Sequence, residues 1–398
     1  FGIFCFFWLE TQSRSALLGL FLGLIPTLIY QLKKYSYKRI IIVLCATILV
    51  FVSLFYLLAF KLKTGSTFGR MLIYGVSFEM VKENYLTGVG LGNFDVRYME
   101  YQGHILSAKS AYSSLAIFSD EISTPFNDFI HIWIEQGITS LIIFISILIS
   151  FIVISVSMIN SKALTYCPRF VIPCSALILV ILVSGITSYP LTIIPIAILF
   201  WVIIAIIDFP SLNEKSLKLH SIPSLITLVT IVTICFHLYY GISYTLAVVS
   251  WRNIITGTQD KSLLPGLSKP LKFNPNYLCA VGDFYYNSNK YYKASEYYYL
   301  ASKLSPSKEI KYALGECYEK LGKFSLAEQE FLDVDKRIPH LIKPNYLLAK
   351  LYYSSKQYQK FYQQVSIVRS SEAKVSSPEV EVMRGELETL ILSHQIHK

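Results

Sequence analysis

Six uninterrupted apolar runs constrain this chain more than any other feature. They cover about Ser15–Gln31, Ile40–Phe60, Ile138–Ile159, Phe170–Ser188, Leu191–Ile207 and Ile222–Val248. Runs of this length cross a bilayer as helices. Lipid offers the backbone no partner, and a helix satisfies each N–H and C=O internally. Pro26, Pro173 and Pro195 lie inside these runs, where neighbouring helices can cover the freed carbonyls. Hydrophobic residues make up 53% of the 398 positions and charged ones only 16%, which excludes an ordinary soluble protein. The Phe1–Trp8 run reads as the tail of a further span, so earlier spans are expected ahead of it.

Basic residues set the expected orientation. Lys33, Lys34, Lys38 and Arg39 sit in one short loop, Lys162 and Arg169 in a second, Lys215 and Lys218 in a third. The positive-inside rule places all three in the cytoplasm. Ser188–Pro190 is then a tight outer turn. Arg14, the long polar segment 63–137 and everything after the last run also fall on the outer face.

The composition changes after about Trp251. Tyrosine and lysine replace isoleucine, and a repeat appears. Gly282, Tyr285, Ala294, Tyr298 and Pro306 recur as Gly315, Tyr318, Ala327, Phe331 and Pro339. This pattern resembles the tetratricopeptide repeat, with small residues where paired helices touch and aromatics between them. Leu348, Ala349 and Tyr352 mark a third unit, in which Phe361 replaces a small residue and suits a cap. The paired tyrosines Tyr291–Tyr292 and Tyr297–Tyr299 read mostly as solenoid core, the alternative being that some of them line a concave binding face. The fold expected is all-α: a polytopic transmembrane helix bundle with an extracytoplasmic loop, followed by a tetratricopeptide-like solenoid. The divisions are residues 1–249 for the membrane domain, 250–272 for a linker and 273–398 for the repeats.

The formal charge is +10, of which residues 250–398 carry +6, from 21 Lys and Arg against 15 Asp and Glu. That glutamate-rich basic region is a poor nucleic-acid ligand; an anionic glycan, lipid or protein surface fits better. The seven cysteines show no metal-ligand spacing, and neither a metal nor a cofactor is expected. Within the spans only His237 is ionisable, which argues against an ion-coupled transporter.

The segment 63–137 holds the unusual residues. Phe68–Asn84 is a predicted helix, with Leu72, Ile73, Val76, Met80 and Val81 at helical spacing. Gly88, Gly90 and Gly92 then let the backbone pass close to something. Thr124-Pro125 signals a helix start, with the helix running from Phe126 into the next span. "GVGLGNF" looks superficially like a dinucleotide motif, but no strand precedes it and no βαβ unit surrounds it.

Arg70 followed by "YGVSFEMVKENYLTGVGLGNF", then "FNDFIHIWIEQGI", with "TQSRSALLGL" before the first complete span, resembles the O-antigen ligase and polymerase family of bacterial envelope glycosyltransferases. The resemblance covers roughly residues 8–205. It departs at Phe126, where many members carry histidine, and at Tyr85, where proline is common.

The resemblance implies a multi-pass protein of the bacterial inner membrane, with the segment 63–137 and the repeats on the periplasmic side. It implies transfer of a glycan from a polyprenyl diphosphate to a glycan, lipid or protein acceptor. Such chemistry needs cations for the diphosphate and a base for the acceptor hydroxyl. Arg14 and Arg70 are expected to grip the diphosphate, since the guanidinium fork matches phosphate oxygens, with Arg97 a third cation and Gly90 and Gly92 close to the substrate. The plain alternatives are a snorkelling interfacial Arg14 and a solvated helix-face Arg70.

Asn127 and Asp128 are expected to hydrogen-bond at the site or, alternatively, to start the helix. Phe126 cannot accept a proton, so the base stays open; His104, Asp95, Asp128, His131 and Glu135 are near in sequence, and His104 on the outer loop is the candidate among them, with a surface histidine as the plain alternative. His131 reads as a core histidine and Glu135 as a helix-ending residue. The repeats are expected to recruit a protein partner. A non-catalytic scaffold anchored in membrane lipid is the competing reading.

Overall fold

The computed structural model describes residues 19, 23, 64–108, 110–160, 168–213, 224–371 and 377–396. Among these there are fourteen α-helices and no strand. The chain divides into two compact units. One comprises Phe1–Phe94 and Ser123–His220; the other comprises Asp95–Ile122 and Ser221–Lys398. The first two apolar runs lie outside the described residues, except for Gly19 and Gly23.

In the first unit, α1 (Thr64–Glu83) covers the predicted helix. Leu72, Ile73, Val76, Met80 and Val81 are all buried, as their spacing requires. Helix α2 (Phe94–Ala108) starts at this unit's edge and continues in the other. Next come α3 (Asp128–Asn160), α4 (Pro168–Thr187) and α5 (Ile194–Asn213). Their shared core joins Phe144, Leu148 and Phe151 to Val171, Ile178, Ile181, Phe200, Ile203 and Ile207. Their outer faces are equally apolar: Ile142, Ile143, Ile149, Ile198 and Val202 are exposed. Among the described residues, two stretches, Asp128–Ser157 and Ile231–Ile255, are long and apolar enough to cross a membrane; Val171–Thr187 and Ile194–Ile207 are apolar but shorter.

Helix α3 does not begin at Phe126, as the Thr124-Pro125 signal suggests. Phe126 has φ +54°, which no helix accommodates. Asn127 instead caps the helix, its Oδ1 accepting from Ile130 N at 3.0 Å. The helix also breaks at Gly137 (φ 79°, ψ 176°), a conformation essentially confined to glycine. Glu135 therefore does stand at a helix end.

In the second unit, α6 (Ser224–Ile255) and the short α7 (Ser268–Leu271) lead into helix pairs. The first pair is α8 (Pro275–Asn287) and α9 (Tyr291–Leu304), the second α10 (Lys308–Lys320) and α11 (Phe324–Arg337), the third α12 (Ile342–Ser354) and α13 (Tyr358–Ser370). Helix α8 starts where Asn274 Oδ1 accepts from Tyr277 N, with Pro275 pre-set for the first turn.

The recurring residues meet inside each pair. A Cβ on Gly282 would lie 2.6 Å from the Tyr298 ring, and one on Gly315 would lie 2.4 Å from Phe331. Ala294 and Ala327 are fully buried beside them. In the third pair Ala349, Phe361 and Val365 are buried instead. Phe361 does not close the array, because α14 (Pro378–Ile396) adds Met383, Leu387 and Ile391 to the same core. Among the paired tyrosines only Tyr298 is fully buried. Tyr292 and Tyr299 point outward, at 60% and 46% exposure, because they lie on the face of α9 opposite Ala294 and Ala301.

The segment after the glycines belongs to this second unit. Gln102, fully buried, donates through Nε2 to Arg337 O at 2.8 Å and to Asp120 O at 3.3 Å. Glu121 pairs with Lys308 at 3.6 Å. The segment 63–137, read from sequence as one outer loop, is thus shared between two bodies.

Candidate functional site

The turn joining α4 to α5 is where the first unit gathers its polar groups. Arg70 lies nearly two turns into α1, and its Nη1 donates to Thr187 O at 3.1 Å. Its guanidinium also stands 5.3 Å above the centre of the Phe126 ring. That ring in turn meets Tyr189 edge to face at 5.4 Å. The left-handed backbone at Phe126 turns its side chain towards Arg70, while the hydroxyl of Tyr74, one turn further along α1, lies 3.4 Å from Phe126 O.

Asn127 Nδ2 donates to Ile186 O at 2.9 Å, so one amide both caps α3 and holds the turn. Asp128 is buried, and its Oδ2 accepts from Leu191 N at 3.1 Å. A Cβ at Gly185 would lie 2.8 Å from that same oxygen, so a small residue is needed there. Arg70 has no carboxylate within ion-pairing distance among the described residues. A single N–H goes to Thr187 O, and an arginine carries five. An arginine resting on a ring and lacking an acid partner is suited to an incoming anion.

The glycines explain what their backbone passes close to. Gly88, Gly90 and Gly92 all have positive φ, at 70°, 98° and 70°. Their loop lies on the broken turn of α3: Val89 N donates to Ile134 O at 2.7 Å and Gly90 N to Glu135 O at 2.9 Å. The other side of the break returns the bond, with Ile138 N donating to Tyr85 O at 2.8 Å. A Cβ on Gly137 would sit 2.0 Å from Leu86 O. Glu135 closes the arrangement, accepting from Phe94 N at 3.3 Å and meeting His131 Nε2 at 3.4 Å.

His131 is not sealed in a core. Its side chain keeps 16% of its exposure and, with Asp128, Glu135, Gln136, Leu191 and Thr192, lines a cavity of about 190 Å³. An imidazole beside a carboxylate at such a cavity can take and pass on a proton.

The expected site residues therefore separate. Arg70, Asn127 and Asp128 come together at one turn. Gly90 and Gly92 hold the neighbouring loop. Arg97 and His104 lie on the part of α2 that belongs to the second unit; Arg97 pairs with Glu100 at 2.9 Å, and His104 is exposed. Arg14 lies outside the described residues. Tyr74, Thr187 and Tyr189 were not singled out from sequence. The one available signal was "GITSYP", a glycine and four polar or turn-forming residues interrupting two apolar runs.

A family model described as O-Antigen ligase matches residues 1–145. No curated protein matches the chain. The match covers α1, the glycine loop and the start of α3, and it supports the O-antigen ligase family for that part of the chain. At family level it supports membrane residence and a glycan-transferring envelope function.

Proposed function

We propose that this chain is an envelope glycosyltransferase. It moves a polyprenyl-diphosphate-linked glycan onto an acceptor hydroxyl at the outer face of the inner membrane. The observation that carries the reading is Arg70: a guanidinium held by Thr187 O and the Phe126 ring, without an acid partner among the described residues. In the transfer, the acceptor oxygen bonds to the anomeric carbon and the bond to the diphosphate breaks. Arg70 takes up the negative charge that grows on the departing diphosphate, together with Arg14.

Asn127 and Asp128 act as positioning residues, since both fasten the start of α3 to the 186–191 turn. The acceptor proton passes to the His131–Glu135 pair, which faces the neighbouring cavity. The first unit is the membrane-embedded part of a multi-pass protein. The helix pairs of the second unit form a tetratricopeptide-like solenoid on the periplasmic side that recruits a partner or acceptor. The 33-residue recurrence of glycine against an aromatic ring supports that assignment.

Replacing Arg70 by alanine is expected to lower transfer by about a hundredfold or more with expression intact. His131→Gln is expected to slow transfer and to change its pH profile. A second reading, a membrane-anchored scaffold, is favoured by Phe126 at the position of the expected histidine. The envelope glycan profile of a deletion strain separates the two: unattached long chains or isolated repeat units follow from loss of a transferase, and an unchanged profile follows from loss of a scaffold.

A further inference from the structure

The helix pairs repeat one surface motif, a lysine ammonium over an aromatic ring, and they repeat it in two electrostatic states. Lys343, Lys350 and Lys360 stand over Tyr312, Tyr346 and Tyr352 at 5.0, 5.2 and 5.0 Å. Each of these lysines also meets a glutamate: Glu309, Glu386 and Glu328 respectively. Around the first pair the lysines are differently placed. Lys303 stands over Tyr299 at 5.0 Å, Lys323 over Tyr292 at 5.8 Å and Lys272 over Phe273 at 4.7 Å. None of the three has a carboxylate within ion-pairing distance among the described residues.

Tyr292 and Tyr299 are seven positions apart on α9, so they share a face and stand about 10 Å apart along it. Lys303 lies one turn beyond. A cavity of about 510 Å³ opens on the same face, lined in part by Lys272, Glu296, Tyr299 and Leu300. We propose that this face of α9 binds an acidic polysaccharide. Exposed phenol rings offer flat apolar surfaces to sugar rings, their hydroxyls hydrogen-bond, and the uncompensated ammonium groups hold carboxylates.

Glu296, in the middle of the stripe, accepts hydrogen bonds from sugar hydroxyls and repels dense negative charge. The face therefore suits a glycan whose acids are spaced along the chain rather than a polyphosphate. A bilayer is a poorer occupant, because Leu300 is the one aliphatic side chain on the stripe. The proposal extends the glycan-transfer reading to the charge of the glycan.

The test uses the full-length protein in detergent, titrated with an oligogalacturonate and with a neutral maltooligosaccharide of equal length. The acidic probe is expected to bind, with affinity falling as salt is raised, and the neutral one to bind at least about tenfold more weakly. Tyr292→Ala with Tyr299→Ala is expected to weaken acidic binding about tenfold. Lys343→Gln with Lys360→Gln, in the self-neutralised half, should change it by less than about twofold. Lys303→Gln with Lys323→Gln reports on the same face if the tyrosine variant loses helix content. Failure to bind the acidic probe, or equal binding by both pairs of variants, overturns the proposal. So does binding confined to anionic lipid vesicles, which assigns the face to the membrane. No donor or turnover is involved, so failure here leaves the Arg70 reading standing, and an active Arg70→Ala variant leaves this one untouched.

Discussion

Helices α3 to α5 and the pairs α8 to α13 are all helical, yet they choose their buried positions by opposite means. In α3, Phe144, Leu148 and Phe151 face the core, while Ile142, Ile149 and Ile152 face outward and are just as apolar. The pattern of hydrophobicity does not say which side is inside; size and shape decide it. In α10 and α11 the two sides differ in kind. Leu314, Gly315, Phe331 and Val334 are buried, and Lys, Glu and Asp cover the outside. An exposed apolar face is costly in water and not in lipid, and only the second set carries an amphipathic stripe.

The comparison can be broken in several places. The largest effect is expected at the interlocked repeat core. Phe331→Ala should cost about 3–5 kcal/mol, because the ring fills the space that Gly315 leaves. Thermal unfolding followed by circular dichroism checks it, and a cost below 1 kcal/mol would refute the glycine-against-ring arrangement.

The sharpest contrast is a lysine placed outward in each region. Ile149→Lys on α3 should disfavour membrane insertion by about 2.5–3.5 kcal/mol, seen as lost protein in the membrane fraction. Leu332→Lys on α11, also outward, should alter stability by less than about 0.5 kcal/mol. Equal outcomes would mean that both faces meet the same solvent.

Next in size is Gly137→Ala, at about 1–3 kcal/mol from backbone strain alone, before the clash with Leu86 O is counted. It should loosen the glycine loop and leave the helix pairs intact, which limited proteolysis can resolve. The smallest effect concerns Phe126→Leu. Removing the ring beneath Arg70 should reduce transfer by about threefold to tenfold with little change in melting temperature.

Much of this was legible in the chain. The buried face of α1 follows from five apolar positions at helical spacing, and all five are buried. The repeat is legible because Gly282 and Gly315 recur with Tyr298 and Phe331. The glycines 88, 90 and 92 announce unusual backbone, since positive φ is open to them without penalty.

Other features were hidden. Nothing local in Phe126 indicates a left-handed backbone, so the helix start was read two residues too early. Nothing in "GITSYP" says that Arg70, 117 positions away from Thr187, will rest on it. His131 looked like a core residue because its helix face is apolar; the cavity beside it exists only once the 191–192 turn is in place.

By itself, then, the order of residues determined the helix α1, the long apolar runs, the recurrence within the helix pairs and the glycines at which the backbone turns. Those properties depend on spacing within a few residues and on the chemistry of single side chains. The folded arrangement alone decided the rest: that Asp95–Ile122 leaves its neighbours to join the helix pairs, that Arg70 meets Phe126, and which lysines find a glutamate. Each of these depends on distances between segments far apart in the chain, and such distances are set by packing rather than by any local preference.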